Sequence, residues 1–466
     1  KNVVAKGRLG PGEMVAVDTK TGKLLMSDDI DQELKSRQNY VGWMEKAIHI
    51  DSLQDDDINK DPIDKQTLRQ YEKMFDITFE ERDQVLRVLA EAGQEAVGSM
   101  GDDTPLPVFS RQVRSLFDYF RQQFAQVTNP PIDSLREQIV MSLETCLGPE
   151  KNMFEETEEH AKRLIIDSPI LTNEMFKKLL ETQDKDYKPV VIELNYPKAM
   201  GLENAIKDIC KKAVRAVKQD VVLIVLSDKN INPEAIPVHS ALATGAVHHS
   251  LIKEGLRCKA NIMLETGVAR DPHHMAVLIG FGATAIYPFL AYDSLIGMQN
   301  SGEIPTEHNQ RLLENYRNGI NKGLYKIMSK MGISTIASYR GAQLFEIVGL
   351  HHNIVDLCFK GGINRIEGSN FIDIQKDQEI LADEVWRLSP TKQGGLLKYI
   401  HGGEYHAFNP DVVQALQLAA KTGDIKDYEK YTSLVNRRPP IVVRDLLKLK
   451  KNTAQISIDQ VESIES

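Results

Sequence analysis

Residues 235–295 read AIPVHSALATGAVHHSLIKEGLRCKANIMLETGVARDPHHMAVLIGFGATAIYPFLAYDSL, and this stretch decides the fold. Residues 238–256 are apolar and rich in small side chains (Ala241, Ala243, Gly245, Ala246), which suits a helix lying close against a sheet. Residues 259–264 form a short apolar run, and the polar turn Glu265-Thr266-Gly267 follows it. A second apolar helix core at 275–279 and a second buried strand at 283–289 complete the stretch. Strands alternating with helices of this length mark consecutive βα units on a parallel sheet. Chemistry in such sheets sits at the carboxyl ends of the strands. Those ends carry Glu265-Thr266-Gly267 and Tyr287-Pro288.

Working outward, residues 189–194 and 221–226 read as two further strands, and 202–217 as an amphipathic helix between them. A long helix over 307–331 stops at Gly332, whose freedom at positive φ suits a helix end. Beyond it the pattern predicts a strand at 333–337, a helix at 342–348, a strand at 354–359 and a helix at 377–388. The fold class expected is therefore α/β, with six parallel βα strands resembling an incomplete or degenerate TIM-like barrel. Residues 31–165 are mainly helical and charged, with helices at 64–75, 78–93 and 111–123. Residues 1–30 hold a hairpin around Thr21-Gly22. Residues 391–466 change character: Gly394-Gly395 and Gly402-Gly403 flank a strand-like segment, two helices follow, and from Lys451 a polar, mobile tail is expected.

With 466 residues the chain has room for two or three domains. Its net charge of −9 argues against nucleic acid, whose binding needs a basic surface to release counterions. No run is long enough to span a bilayer, and the N-terminus lacks a signal-peptide pattern. Cys146, Cys210, Cys258 and Cys358 are scattered, which suits reduced thiols and not a disulfide frame or cluster. Lys1 opens directly into structured-looking sequence, which reads as a piece of something longer.

Each candidate for chemistry has a plainer reading. His248-His249, His273-His274 and His351-His352 are adjacent pairs, and neighbours on a helix point about 100° apart, so no metal is expected. Gly280-Phe281-Gly282 has a helix before it and a strand after, the reverse of a dinucleotide loop. Gly361-Gly362 follows the strand expected at 354–359 and offers bare backbone N–H groups to a phosphate. Glu265, Arg270 and Asp271 form either an acid–base group or a structural ion pair. Lys322, Lys326 and Lys330 make a solvated helix stripe. The break Thr128-Asn129-Pro130-Pro131-Ile132-Asp133 is a rigid connector or the lining of a cavity, with Asp133 or Ser134 capping a helix from Leu135.

Longer stretches add a resemblance. RLGPGEM (8–14), MGDDTPL (100–106), FAQVTNPPID (124–133) leading to MSL (141–143), ETG (265–267), SKMGIST (329–335), SYRGAQ (338–343) and GGEYH (402–406) together resemble the central region of the glutamate synthase large subunit. The resemblance runs the length of the chain. It implies three parts: the trailing edge of an amidotransferase domain (1–30), a central domain (31–390) and the lead-in to a flavin-binding synthase domain (391–466). In that family glutamine is hydrolysed in one domain, and ammonia passes through an internal tunnel to a flavin barrel. There it converts 2-oxoglutarate to glutamate.

The role implied is a structural and ammonia-channelling segment, not catalytic by itself, with Thr128, Asn129, Pro130, Pro131 and Met141 lining the tunnel. No cofactor is expected on this segment. FMN and an iron–sulfur cluster belong to the full-length enzyme, whose electron donor is a small subunit or ferredoxin. The implied compartment is the cytoplasm, or the plastid stroma in a photosynthetic eukaryote. The alternatives are a free-standing flavin- or phosphate-binding barrel enzyme using Gly361 and Gly362, and a pure inter-domain interaction module.

Overall fold

The computed structural model describes residues 2–50, 63–96, 98, 101–123, 125, 132–133, 135–182, 184–305, 309–387, 390–450 and 456–463. At its centre four strands run parallel in the spatial order Ala285–Tyr287, Asn261–Glu265, Leu223–Ser227, Pro189–Glu193. Every residue of Leu223–Ser227 is buried, as a strand covered by helices on both faces must be. The crossovers are the helices Leu202–Val217, Ser240–Lys253 and Pro272–Gly280. The small residues expected to bring a helix close do so. A Cβ on Gly245 would lie 2.0 Å from the carbonyl oxygen of Cys358, so Ser240–Lys253 touches its neighbour backbone to backbone.

A second sheet pairs Phe345–Leu350 in parallel with Ile363–Ser369 and antiparallel with Phe120–Gln122. Phe120, Phe281 and Phe359 stack edge to face at 4.8–5.2 Å and join this sheet to the central units. Among the described residues these are separate sheets of three and four strands, so the architecture is mixed α/β with a parallel sheet. The N-terminal hairpin forms as expected, Val15–Asp18 against Lys23–Met26. No helix among the described residues is long and apolar enough to cross a membrane.

Several expected elements differ. Residues 111–123 are not a helix but a 3₁₀ turn, Leu116–Tyr119, running into the strand Phe120–Gln122. Leu116, Phe117, Tyr119 and Phe120 are all buried, which a single helical stripe does not allow. The helix expected at 342–348 is the strand Phe345–Leu350, and the strand expected at 354–359 is the helix His352–Cys358. Gln343 at φ 55° blocks helix propagation into the first. His351 caps the second by accepting the Asn353 N–H. The strand expected at 333–337 is the short helix Ile336–Tyr339, with a single bridge from Thr335 to Ser142. Between Gly395 and Gly402 no strand forms, because the backbone donors there are spent on a side chain described below. Of the expected mobile tail, residues 451–455 lie outside the described residues.

Candidate functional site

At the carboxyl ends of the central strands the polar residues first knit the sheet together. Asp228, fully buried, accepts the Thr266 hydroxyl at 2.5 Å, the Gly267 N–H at 2.8 Å and the Ser240 hydroxyl at 3.3 Å. Burial pushes its pKa up to about 7 against those bonds. Glu265 accepts the Ser227 hydroxyl and the Lys229 ammonium, at 2.7 and 3.1 Å. Arg270, only 4% exposed, donates to Glu81 at 2.6 Å and to the Phe75 carbonyl at 3.0 Å. Glu265, Arg270 and Asp271, expected as an acid–base group or a structural ion pair, do not pair with one another: Glu265 meets Lys229, Arg270 meets Glu81, and Asp271 caps the helix Pro272–Gly280.

Above this layer opens a cleft of about 550 Å³. Its floor carries His239, Arg270 and His274, and its walls come from residues 74–85, 112–118 and 374–381. Phe117 stacks on His274 at 4.3 Å and meets His239 edge-on at 4.8 Å. Burial holds His239 down to about 3 and His274 well below its ordinary value, so both rings are neutral. His239 Nδ1 accepts the Ala241 N–H at 3.2 Å, which leaves the proton on Nε2.

The roof is a strap, residues 392–408. Glu80 is the peg: its Oε2 accepts N–H bonds from Gly395, Leu396 and Leu397 at 2.9, 2.8 and 3.1 Å, and its Oε1 accepts the Lys398 N–H at 2.8 Å. Successive N–H groups converging on one anion form a backbone nest. Gly394, at φ 103°, makes the turn possible, since a Cβ there would lie 2.5 Å from Glu80 Cβ. Further along, Glu404 accepts Ser110 at 2.6 Å and Arg114 at 3.2 Å. His406 lies between the Asp103 carboxylate at 2.8 Å and the Gly395 carbonyl at 2.9 Å, and Asp103 also accepts the Phe408 N–H at 3.0 Å. Sequence reasoning missed Glu80, Arg114 and this pairing. The signal was present for part of it, because MGDDTPL and GGEYH, some 300 residues apart, are the two motifs that meet at Asp103 and His406.

Of the tunnel residues expected, Thr128, Asn129, Pro130 and Pro131 lie outside the described residues. Met141 is buried in the main core and does not line this cleft. Gly361 and Gly362 follow the helix His352–Cys358 and precede the strand Ile363–Ser369, the same reversed order as Gly280-Phe281-Gly282. The Gly362 N–H donates to the Phe359 carbonyl at 2.8 Å, so of the two glycines it is not a bare donor for a phosphate. The four cysteines are free, and among the described residues no three of them lie within metal-sharing distance, so they do not fit an iron–sulfur cluster.

His351 and His352 depart from the helical geometry expected of neighbours. His351 is extended at the helix cap, so the rings stand 4.1 Å apart, and with Glu367 their ligand atoms lie within 4.8 Å of one another. His351 Nδ1 accepts the Asn353 N–H, which leaves a proton on the Nε2 that faces Glu367.

Fold and cleft define a class of domain, an α/β core that grips a strap of its own chain. The comparisons name which. The family profile "Glutamate synthase central domain" matches residues 70–351, and "Glutamine amidotransferases class-II" matches residues 1–43. The chain belongs to the glutamate synthase central domain family. It is 35% identical over 474 residues to the glutamate synthase [NADPH] large chain of Bacillus subtilis, covering 100% of this chain and 30% of that one. It is 37% identical over 476 residues to the large chain of Azospirillum brasilense (99% and 31%), and 36% over 479 residues to the ferredoxin-dependent glutamate synthase of Pyropia yezoensis (100% and 31%). The chain thus spans about a third of the length of these relatives. Among solved structures, the flavin-binding domain of baker's yeast flavocytochrome b2 aligns over 70% of this chain and 98% of that one. Its identity is 11% and its TM-score 0.32, a likeness that carries no argument.

Proposed function

We propose that this chain is the central structural and ammonia-channelling segment of a glutamate synthase. It links glutamine hydrolysis in a preceding amidotransferase domain to reductive formation of glutamate from 2-oxoglutarate in a following flavin domain. The observation that carries the reading is the strap: residues 392–408, where the lead-in to the flavin domain is expected, are hydrogen-bonded to Glu80, Asp103 and Arg114 of the central domain. A domain that fixes the departing chain this firmly can hold two reaction centres in line. The domain limits proposed are 1–30, 31–390 and 391–466, and the parallel units are read as those of an incomplete barrel. FMN, an iron–sulfur cluster and an electron donor (small subunit or ferredoxin) would be met by the rest of the enzyme, in the cytoplasm or plastid stroma.

A conduit for neutral ammonia needs rigid walls and little water, because water admits protonation and loss. Thr128, Asn129, Pro130, Pro131 and Met141 are proposed to supply part of that wall. In the full-length enzyme, Asn129→Ala and Met141→Ala should each raise glutamine hydrolysed per glutamate formed. Met141→Ala also empties core volume, so its folding is monitored alongside. A one-to-one ratio retained by both variants refutes the lining.

A further inference from the structure

We propose that a second cavity, at the amino ends of the central strands, binds a small organic carboxylate between Arg163 and Arg340, beside Cys146. The cavity measures about 530 Å³ and lies against Ala283 and Thr284, where the strand Ala285–Tyr287 begins. It is thus at the opposite end of the sheet from the strap, and the proposal does not rest on the function argued above.

The argument begins with unfilled donors. A guanidinium carries five N–H donors. Arg163 spends one on the Gly148 carbonyl at 2.9 Å. Arg340 makes no side-chain hydrogen bond among the described residues, and its partner is Glu150 at 3.7 Å, too long for one. Both side chains line the cavity, and neither has a sealed-off, unsatisfied nitrogen among the described residues, so the remaining donors are within reach of solvent.

Charge points the same way. Arg257 stands behind the pair, donating to His248 and to the carbonyls of Ala260 and Gly282. Burial, and then Arg340, press its pKa down to about 10. Arg340 thus lies in the fields of both Arg257 and Arg163, and Glu150, exposed at the rim, offsets part of that repulsion. An anion seated between Arg163 and Arg340 relieves that repulsion, and the planar guanidinium matches a carboxylate edge. The rest of the wall decides which anion. Met44, Met153 and Ile165 line the cavity with exposed or half-buried apolar side chains and give an aliphatic body somewhere to lie, which bare phosphate would leave empty. The volume is that of an ordinary small-molecule site.

Cys146 provides the readout, because it lines the cavity and is exposed, and exposed Cys258 is an internal control outside it. Alkylation of the chain by iodoacetate, a carboxylate, is compared with alkylation by neutral iodoacetamide, each site followed by peptide mass spectrometry. The iodoacetate-to-iodoacetamide rate ratio should be at least about tenfold higher at Cys146 than at Cys258, the scale of one charge-assisted hydrogen bond. Arg163→Gln and Arg340→Gln should each lower that ratio about tenfold; the iodoacetamide rate falls as well, because both guanidiniums favour the Cys146 thiolate, so the ratio and not either rate is the readout. Butyrate should protect Cys146 from iodoacetate saturably. Equal ratios at the two cysteines in the unaltered chain overturn the proposal without recourse to any variant. A ratio unmoved by both substitutions overturns it too, and protection by inorganic phosphate as strong as by butyrate overturns the aliphatic assignment.

Discussion

Removing the Glu80 carboxylate tests the strap directly. Four backbone N–H groups end on it. A hydrogen bond to a charged acceptor contributes about 1.5–3 kcal/mol in isolation. Four bonds to one carboxylate are not independent, so they do not add. Leu396, Leu397 and Lys398 are exposed residues whose N–H groups regain water when the carboxylate leaves; Gly395 is buried and does not. The expected loss for Glu80→Ala is therefore about 3 kcal/mol of local strap stability, well below a simple sum. At 1.4 kcal/mol per tenfold, amide exchange at 395–398 should accelerate roughly 100-fold to 200-fold.

Glu80→Gln sharpens the test. Three of the four donors meet Oε2 and one meets Oε1. A glutamine carbonyl in the Oε2 position keeps protection at 395–397, while its amide group faces the Lys398 N–H and exposes that position alone. Exchange is read by mass spectrometry with residue-level fragmentation on the whole chain. If Glu80→Ala leaves 395–398 as protected as before, or Glu80→Gln opens all four alike, the carboxylate is not what holds the strap.

Two other outcomes are expected. The His406 ring nitrogens face two acceptors, the Asp103 carboxylate and the Gly395 carbonyl, so the doubly protonated ring satisfies both and the neutral ring only one. Its pKa is accordingly raised, with burial opposing and the Gly395 and Asp103 bonds outweighing it, while that of Asp103 is lowered. The His406 contribution is complete below its unfolded pKa of about 6.5 and fades as pH rises through the higher folded value. The Asp103 contribution is present above about 3.9 and fades as pH falls through the lower folded value. Strap protection should be greatest between those limits and fall on the alkaline side. His406→Gln should abolish the alkaline fall, and a flat profile in the unaltered chain counts against the pairing. Gly245→Ala drives a Cβ toward the Cys358 carbonyl, a contact that backbone alone must absorb. It should cost about 3 kcal/mol, seen as a lower urea midpoint; an unchanged midpoint would show that the helices can part freely.

How much of this was legible in the sequence depended on how far each residue's partner lay along the chain. The apolar stretch at 221–289 is read correctly because its neighbours in sequence are its neighbours in space: the strands Leu223–Ser227, Asn261–Glu265 and Ala285–Tyr287 lie side by side in chain order. From residue 333 to residue 369 that ceases to hold. Phe345–Leu350 is a strand because Phe120–Gln122, more than 200 residues earlier, pairs with it, and a short apolar run does not declare whether its partner exists. Ile363–Ser369 carries Asn364, Arg365 and Glu367 on a half-exposed edge, so it shows little apolar signal of its own. The same reasoning explains the site. Glu80 reads as one more charge on a helical face, since nothing local shows that four N–H groups some 315 residues later will close around it. Motif resemblance went further than periodicity here because it does not depend on what lies next in the chain. It singled out MGDDTPL and GGEYH without a local reason, and their contact at Asp103 and His406 supplies the physical one.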